Sequence, residues 1–233
     1  MVGRAVLNLY SGIIGQTWFF KDDQCVWIDW MPDTSGGKIQ YGPTKFTDGI
    51  IMNLHKTGFK KIDAILHTNN QDYAYFFCDD QYALVKVIPD VCFPGGILIY
   101  SDLGTTTAKI SDNWRSLAKA GFSRIDGALM VPGRKNEAYV FSGTKFCRIR
   151  FTPYVYDDEL LDGPKEILDH WGVIDFDQIE AIFPHPGKEQ HAYVFCEDQY
   201  VEIRIDEGGP GVRISERSDI AAGWPALRQA GFY

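Results

Sequence analysis

The sequence predicts an all-β protein, in which four small antiparallel sheets form one closed ring, a four-bladed β-propeller. Three observations predict this fold. Four segments of similar sequence recur along the chain, each is typical of an aromatic β-hairpin, and together the repeats fill the whole length. A small sheet with two apolar faces cannot bury both alone, whereas sheets stacked face to face around an axis bury them and leave only short edges.

The repeated hairpins occupy residues 17–28, 74–85, 138–149 and 192–203. Each combines two short runs of aromatic and β-branched residues with a polar turn between them, which is a hairpin signal. The leading aromatic residues are Trp18, Tyr75, Tyr139 and Tyr193, so successive repeats are offset by 57, 64 and 54 residues. We therefore divide one domain, 1–233, into repeats 4–60, 61–123, 124–177 and 178–233.

A further strand is predicted before each hairpin, at residues 6–10, 63–67, 126–130 and 180–183, and an outer strand after it, for example at 38–41. Short amphipathic segments close the repeats, and 114–122 closely matches 224–232. Trp114 and Trp224 lie at matching positions of these segments, and we expect both to pack onto their blades.

The two ends of the chain are predicted to meet. Gly121 and Phe122 lead into a strand, whereas the matching Gly231 and Phe232 lead to the chain end. The missing continuation is supplied by residues 4–10. We therefore expect the N-terminal strand to dock beside the last repeat and close the ring.

Composition restricts the class of protein. The 233 residues are 45% hydrophobic, which excludes a wholly disordered chain, and carry a formal net charge of -8, which argues against a nucleic-acid-backbone binder. No apolar stretch is long enough to span a membrane, and the N-terminus lacks the pattern of a signal peptide. Five cysteines, at 25, 78, 92, 147 and 196, form no metal-binding pattern. The sequence thus predicts a soluble, cytoplasmic protein with reduced cysteines and no membrane insertion, although a single disulfide remains an alternative.

Short motifs at the strand starts resemble those of a known family. The first strands begin Ile62-Asp63-Ala64, Ile125-Asp126-Gly127 and Ile179-Glu180-Ala181, and the second strands contain Ala-Tyr-x-Phe at 74–77, 138–141 and 192–195. These motifs resemble the hemopexin-type four-bladed propellers. Within that superfamily, the tract 28–43, which ends Tyr-Gly-Pro, is similar to the albumin-2 proteins of legume seeds. The disulfide that closes secreted hemopexin-type propellers has no counterpart here.

The resemblance implies a non-enzymatic protein that binds small molecules, with polyamine and haem as the family's candidates, and it implies homodimers. The acidic composition suits a polyamine. The residues themselves indicate no enzyme. We find none of the common catalytic or nucleotide-binding motifs, and the adjacent aspartates at 22–23 and 79–80 lie at hairpin tips, where Asp favours turns.

Two kinds of ligand-binding residue can be named from the sequence. His67 and His185 fall just past a first strand, at one rim of the ring, where an imidazole can bind haem iron. His55, His170 and His191 are interpreted as ordinary surface or rim residues. Trp30 begins a Gly-rich loop and is the candidate for an exposed ring that stacks on a sugar. A lectin is therefore the alternative function, and a protein-interaction or storage albumin without a specific ligand is the third.

The predicted central channel is a candidate ion site. The first strand of every blade lines the axis with one edge free, so main-chain carbonyl oxygens converge there without partners in a sheet. Our alignment places Val6, Asp63, Asp126 and Glu180 at equivalent positions around this ring. The resemblance implies an ion at such carbonyls, and Ca²⁺ or Na⁺ is the type of cation that oxygen ligands bind. A column of ordered water is the alternative.

Overall fold

The computed structural model describes residues 4–9, 15–48, 54–68, 73–90, 96–100, 107–206 and 208–233. The described chain forms four antiparallel sheets, each built from consecutive strands in up-and-down order.

Blade 1 contains β1 (Arg4–Asn8), β2 (Gln16–Lys21), β3 (Gln24–Trp30) and β4 (Gly37–Lys45). Blade 2 contains β5 (Ala64–His67), β6 (Tyr73–Cys78), β7 (Gln81–Asp90), β8 (Gly96–Tyr100) and β9 (Ala108–Lys109). Blade 3 contains β10 (Gly127–Met130), β11 (Glu137–Ser142), β12 (Lys145–Arg150) and β13 (Glu159–Glu166). Blade 4 contains β14 (Ala181–Pro184), β15 (His191–Cys196), β16 (Gln199–Asp206), β17 (Gly209–Arg213) and β18 (Ser218–Asp219). The predicted all-β four-bladed propeller is confirmed.

The four predicted hairpins are the second and third strands of the four blades. Each turns through two residues, and the first of them has a positive φ: Asp22 (53°), Asp79 (51°), Gly143 (57°) and Glu197 (55°). Asp and Gly tolerate this left-handed conformation better than most residues, which explains the polar turns in the sequence.

The first strand of each blade faces the axis. β1 and β10 each contact both β5 and β14, so the four inner strands form a closed ring. Four apolar cores fill the junctions between neighbouring blades, and each core draws residues from two blades. The hydrophobic effect therefore holds the ring together at every junction rather than at one centre.

Short helices cap the junctions: α1 (Ile110–Asn113), α2 (Arg115–Ala120), α3 (Ile167–His170), α4 (Ile220–Gly223) and α5 (Pro225–Gln229). Single 3₁₀ turns occur at Leu54–Thr57 and Gly172–Ile174. Trp114 and Trp224 each separate two helices and are buried in a junction core, as predicted. No helix in the described ranges is both long enough and apolar enough to serve as a transmembrane span.

The chain ends meet at the junction of blades 4 and 1. The Lys21 ammonium donates to the Phe232 carbonyl oxygen at 2.5 Å. The Arg4 guanidinium pairs with Glu180 and lies 4.9 Å from the ring centroid of Tyr233. The N-terminal strand therefore closes the ring, as predicted, by packing and by the Arg4–Glu180 ion pair, while its own ladder is with β2. Tyr10, the predicted end of this strand, lies outside the described residues.

The described cysteines are Cys25, Cys78, Cys147 and Cys196, and all four are free thiols. The fifth, Cys92, lies outside the described residues. Burial raises the pKa of Cys147 to about 12, so this thiol is protonated at neutral pH and packs as a small apolar side chain.

Candidate functional site

One mouth of the central channel opens into a cavity of about 930 Å³. Its apolar lining includes one equivalent residue from each inner strand, each paired with the same position of its own hairpin: Val6, Ile65, Ala128 and Ile182. Its polar part comes from the segments that follow the inner strands of blades 2, 3 and 4. A volume of this size falls in the range of small-molecule sites.

Cationic side chains dominate the mouth of this cavity although the protein is acidic overall. Arg134 and Lys135 line it from blade 3, Lys188 lines it from blade 4, and Glu189 is the acidic residue among the lining groups. Because Lys188 is paired with two carboxylates, Asp33 and Glu202, the excess of positive charge at the mouth comes from Arg134 and Lys135, and it favours anionic groups.

His67 lines the cavity at the position predicted from the sequence, the last residue of β5. Both of its ring nitrogens are inaccessible to solvent. Burial lowers the pKa of His67 to about 4, so the ring is neutral at pH 7. The inaccessible nitrogens do not present a lone pair to the cavity.

His185 also lines the cavity, but hydrogen bonds occupy both of its nitrogens. The Gly187 N–H donates to Nδ1 at 3.0 Å, and Nε2 lies 3.4 Å from Oδ1 of Asp33. An imidazole that accepts at Nδ1 carries its proton on Nε2, so Nε2 donates to Asp33 and has no lone pair for a metal. Burial is the main cause that lowers the pKa of His185.

A charged cluster joins His185 to two carboxylates and a lysine at the junction of blades 4 and 1. Ligand atoms of Asp33, His185 and Glu202 lie within 4.8 Å of one another, a spacing compatible with a metal ion. The Lys188 ammonium, however, lies 2.6 Å from Asp33 and 3.3 Å from Glu202. Its hydrogen bond is the main cause that lowers the pKa of Asp33. Because Lys188 already supplies the cation and His185 has the wrong tautomer, these residues fit an ion-pair network and not a metal site.

His191 is the imidazole that the sequence analysis interpreted as an ordinary rim residue. It lines the cavity, and its Nδ1 lies 2.7 Å from Oε1 of Glu202. A carboxylate that accepts from Nδ1 fixes the tautomer and leaves the lone pair on Nε2, which is the arrangement of histidines that bind metals. The strand pairing could have revealed this contact. His191 pairs with Arg204 in the β15–β16 ladder, so Glu202, two residues before Arg204, lies diagonally opposite His191 on the same face of the sheet.

Trp30 is not an exposed sugar platform, so that prediction is wrong. Its ring is buried, its centroid lies 4.2 Å from that of Trp224, and its Nε1 donates to Oγ1 of Thr17 at 2.9 Å. The exposed part of this segment is the next residue, Met31.

The opposite end of the inner strands corrects the predicted ion ring. Phe20 and Phe77 hold the same position of their hairpins, and the strand register pairs them with Ala5 and Ala64. Ala5 is therefore equivalent to Ala64, and the residue before it, Arg4, is equivalent to Asp63. Val6 lies two residues further along and belongs to the apolar layer of the cavity. The position therefore carries three acids, Asp63, Asp126 and Glu180, and one base.

The three carboxylates have structural partners. Each accepts the backbone N–H of the left-handed turn residue of its own hairpin, at 2.7, 2.7 and 2.8 Å. Arg124 bridges Asp63 and Asp126 at 3.1 and 3.0 Å. The acids that the sequence analysis placed beside a channel cation thus stabilise hairpins and pair with bases. An axial cation bound by main-chain carbonyls stays a prediction.

Comparison with known proteins identifies relatives among seed albumins. No family model matches the sequence. Albumin-2 of Pisum sativum is 25% identical over 205 residues, which cover 67% of this chain and 88% of that protein. Albumin-2 of Lathyrus sativus is 28% identical over 176 residues, which cover 73% of each.

Solved structures share the fold over nearly the whole chain. A plant albumin from Cicer arietinum that shows hemagglutination superimposes with a TM-score of 0.80 at 24% identity, covering 97% of this chain and 96% of the other. The hemopexin-fold protein CP4 from cow pea has a TM-score of 0.75 at 24% identity, with the same coverage. A plant lectin with two metal-binding sites, also from Cicer arietinum, has a TM-score of 0.77 at 25% identity and covers 98% and 97%. The chain is thus a four-bladed propeller of the hemopexin type that resembles the albumin-2 proteins of legume seeds.

Proposed function

We propose that this protein is a non-enzymatic ligand-binding protein and that its ligand occupies the cavity at the channel mouth. The observation that carries the proposal is the combination of an apolar layer from all four inner strands with a cationic mouth in an acidic protein. This combination favours a partly apolar small molecule that carries anionic groups.

Haem is a ligand of this class, with an apolar macrocycle and two carboxylates. Of the three described histidines that line the cavity, His191 is the one whose hydrogen bonding leaves a lone pair on Nε2. We therefore assign iron binding to His191 and not to the residues predicted from the sequence, His67 and His185. Arg134 and Lys135 are the side chains that pair with the carboxylates. Bound haem would supply iron chemistry at this mouth; the chain itself supplies position and charge.

A polyamine is the weaker candidate for this cavity. Its ammonium groups need carboxylates, but Glu189 is the one acidic residue among the described lining groups, and the nearby Glu202 is already paired with Lys188 and His191. Carbohydrate binding through Trp30 has no support, because that ring is buried. The albumin and lectin relatives favour a binding protein over an enzyme.

Titration with hemin tests the proposal. Addition of hemin to the wild-type protein is expected to give a saturable Soret shift at one equivalent. His191→Ala is expected to remove the shift, while His55→Ala, a histidine exposed on the surface away from the cavity, keeps it. Wild-type protein that gives no saturable shift would rule out haem as the ligand, and an unchanged shift in His191→Ala would rule out this residue as the iron ligand.

A further inference from the structure

A second groove lies at the junction of blades 2 and 3 and shares no lining residue with the channel cavity. Its volume is about 120 Å³, roughly the size of one sugar ring. The buried rings of Tyr75, Tyr82 and Trp114 form one wall. The groove is distinguished by the loop 151–158 that borders it.

This loop exposes three consecutive large side chains. Tyr154, Val155 and Tyr156 are 45%, 53% and 63% exposed. Tyr154 adopts a φ of 71°, a conformation that is uncommon for an aromatic residue. Its N–H donates to the Tyr75 hydroxyl at 3.2 Å, and its ring packs edge-on against Tyr73 at 4.9 Å. The loop is therefore fixed in place with aromatic rings at the surface, an arrangement that costs backbone strain and exposes apolar area.

Polar groups with spare hydrogen-bonding capacity converge in the same groove. Nδ2 of Asn113 donates to the Tyr82 hydroxyl at 2.9 Å. The proton of that hydroxyl and the side-chain oxygen Oδ1 of Asn113 are therefore left to bind a ligand. Asp158 accepts the N–H groups of Arg115 and Ser116, at 3.0 and 2.5 Å, and each of its oxygens keeps a lone pair. The carboxylate is thus oriented by the backbone and still able to accept from a hydroxyl.

We propose that this groove binds a saccharide, with one pyranose ring against Tyr156 and its hydroxyls bonded to Asp158, Asn113 and Tyr82. Exposed aromatic faces stack on the C–H face of a sugar, and carboxylate, amide and phenol groups bond its hydroxyls. A proline-rich peptide also uses aromatic grooves, but it needs a row of pockets along an extended chain. Here the polar groups cluster within a space for one ring.

A glycan array of neutral and acidic oligosaccharides, probed with the full chain, tests the proposal. The wild-type protein is expected to retain a defined subset of glycans. Tyr156→Ala and Tyr154→Asp are each expected to weaken that binding about tenfold. Aspartate is chosen because it tolerates positive φ and keeps the N–H that bonds Tyr75. Tyr41→Ala removes an exposed tyrosine of blade 1 outside the groove and is expected to bind as the wild type does.

Three results would overturn the assignment: no glycan retained by the wild type, glycan binding unchanged in both loop variants, or a proline-rich peptide bound in place of glycans. Thermal melting of Tyr156→Ala and Tyr154→Asp distinguishes loss of the binding site from loss of the fold. If one variant misfolds, the other still tests the proposal. The hemin titration is expected to be unaffected by Tyr156→Ala, so failure of this proposal is distinguishable from failure of the haem proposal.

Discussion

The junction of blades 4 and 1 and the junction of blades 2 and 3 share one backbone design but differ in side-chain chemistry. The loops 30–37 and 151–158 have equal length, since Asp29 pairs with Lys38 as Arg150 pairs with Glu159. Each loop has a non-glycine residue of positive φ at its fourth position, Asp33 at 64° and Tyr154 at 71°.

In both junctions the N–H of that residue faces a buried tyrosine hydroxyl on the preceding blade of the ring. The Tyr154 N–H donates to Tyr75 at 3.2 Å, and the Asp33 N–H acts on the hydroxyl of Tyr193. What surrounds this common contact differs. Asp33 enters the charged cluster beside the channel cavity, whereas Tyr154 starts the exposed aromatic run. Two loops of the same length and turn conformation thus carry side chains suited to different ligands.

The loop ends differ in a compensating manner. At the junction of blades 2 and 3, Asp158 accepts two N–H groups at the start of α2. At the junction of blades 4 and 1, Gly37 takes the place of Asp158 and has no carboxylate. Pro225 takes the place of Arg115 at the start of α5 and has no N–H that needs an acceptor.

The largest effect is expected from deletion of residues 1–11, which removes β1. Blade 1 loses its inner strand, and the cores on both sides lose buried side chains such as Val6 and Leu7. We expect loss of a cooperative thermal transition in circular dichroism, far beyond the effect of trimming a frayed end. An unchanged melting curve would contradict closure of the ring by this strand.

A pH dependence of stability is expected from two of the three described cavity histidines, His67 and His185. The pKa of His67 falls from 6.5 to about 4 on folding, and burial also lowers that of His185. Between those values the unfolded chain binds a proton that the folded chain does not, so the free energy of unfolding decreases as pH falls from about 6.5 towards 4. The loss at the acid end is about 2–3 kcal/mol for His67.

Urea denaturation at several pH values measures this dependence. His67→Gln is expected to remove most of it, while His185→Gln removes less, since Asp33 and Glu202 raise the pKa of His185 and oppose burial. Equal slopes in the wild type and His67→Gln would show that this histidine is not neutral in the folded protein.

The common contact between loop N–H and tyrosine hydroxyl is tested by removing each hydroxyl. Tyr75→Phe and Tyr193→Phe are each expected to lower the free energy of unfolding by about 1–2 kcal/mol, because each removes the oxygen that a loop N–H faces. Equal losses in urea denaturation would support the common design. A loss in one variant alone would mean that the two loops are fixed differently.

A smaller effect is expected from Asp158→Ala, which exposes the two N–H groups at the start of α2. The expected loss is about 1 kcal/mol, the usual cost of removing a helix cap. Asp157→Ala in the same exposed loop is a control for the helix cap, since Asp157 bonds Thr152 and not the helix. A stability equal to that of the wild type would show that water replaces the carboxylate at this helix.

The fold could be predicted from the sequence because its signals are local and repeated four times. Aromatic hairpins, polar turns and the matching Gly-Phe segments each lie within one blade, and their number alone gives a ring. The alignment failed at β1, where Ile-Asp is absent, and the strand register assigns Arg4 and not Val6 to the acidic position.

The site was only partly predictable, because its chemistry depends on hydrogen bonds between distant segments. The positions of His67 and His185 at one mouth followed from the strands, but their unavailable nitrogens did not. The role of His191 depends on Glu202 on the neighbouring strand. Trp30 looked like a loop residue, whereas it ends β3 and is covered by Trp224 from the far end of the chain.

The channel cavity and the groove between blades 2 and 3 are proposed here as independent binding sites on one scaffold. The most direct test measures hemin binding and glycan binding side by side for the wild type, His191→Ala and Tyr156→Ala. We predict that His191→Ala loses hemin and keeps glycans, and that Tyr156→Ala loses glycans and keeps hemin. A variant that loses both ligands, or a pair of variants that loses neither, would contradict the claim.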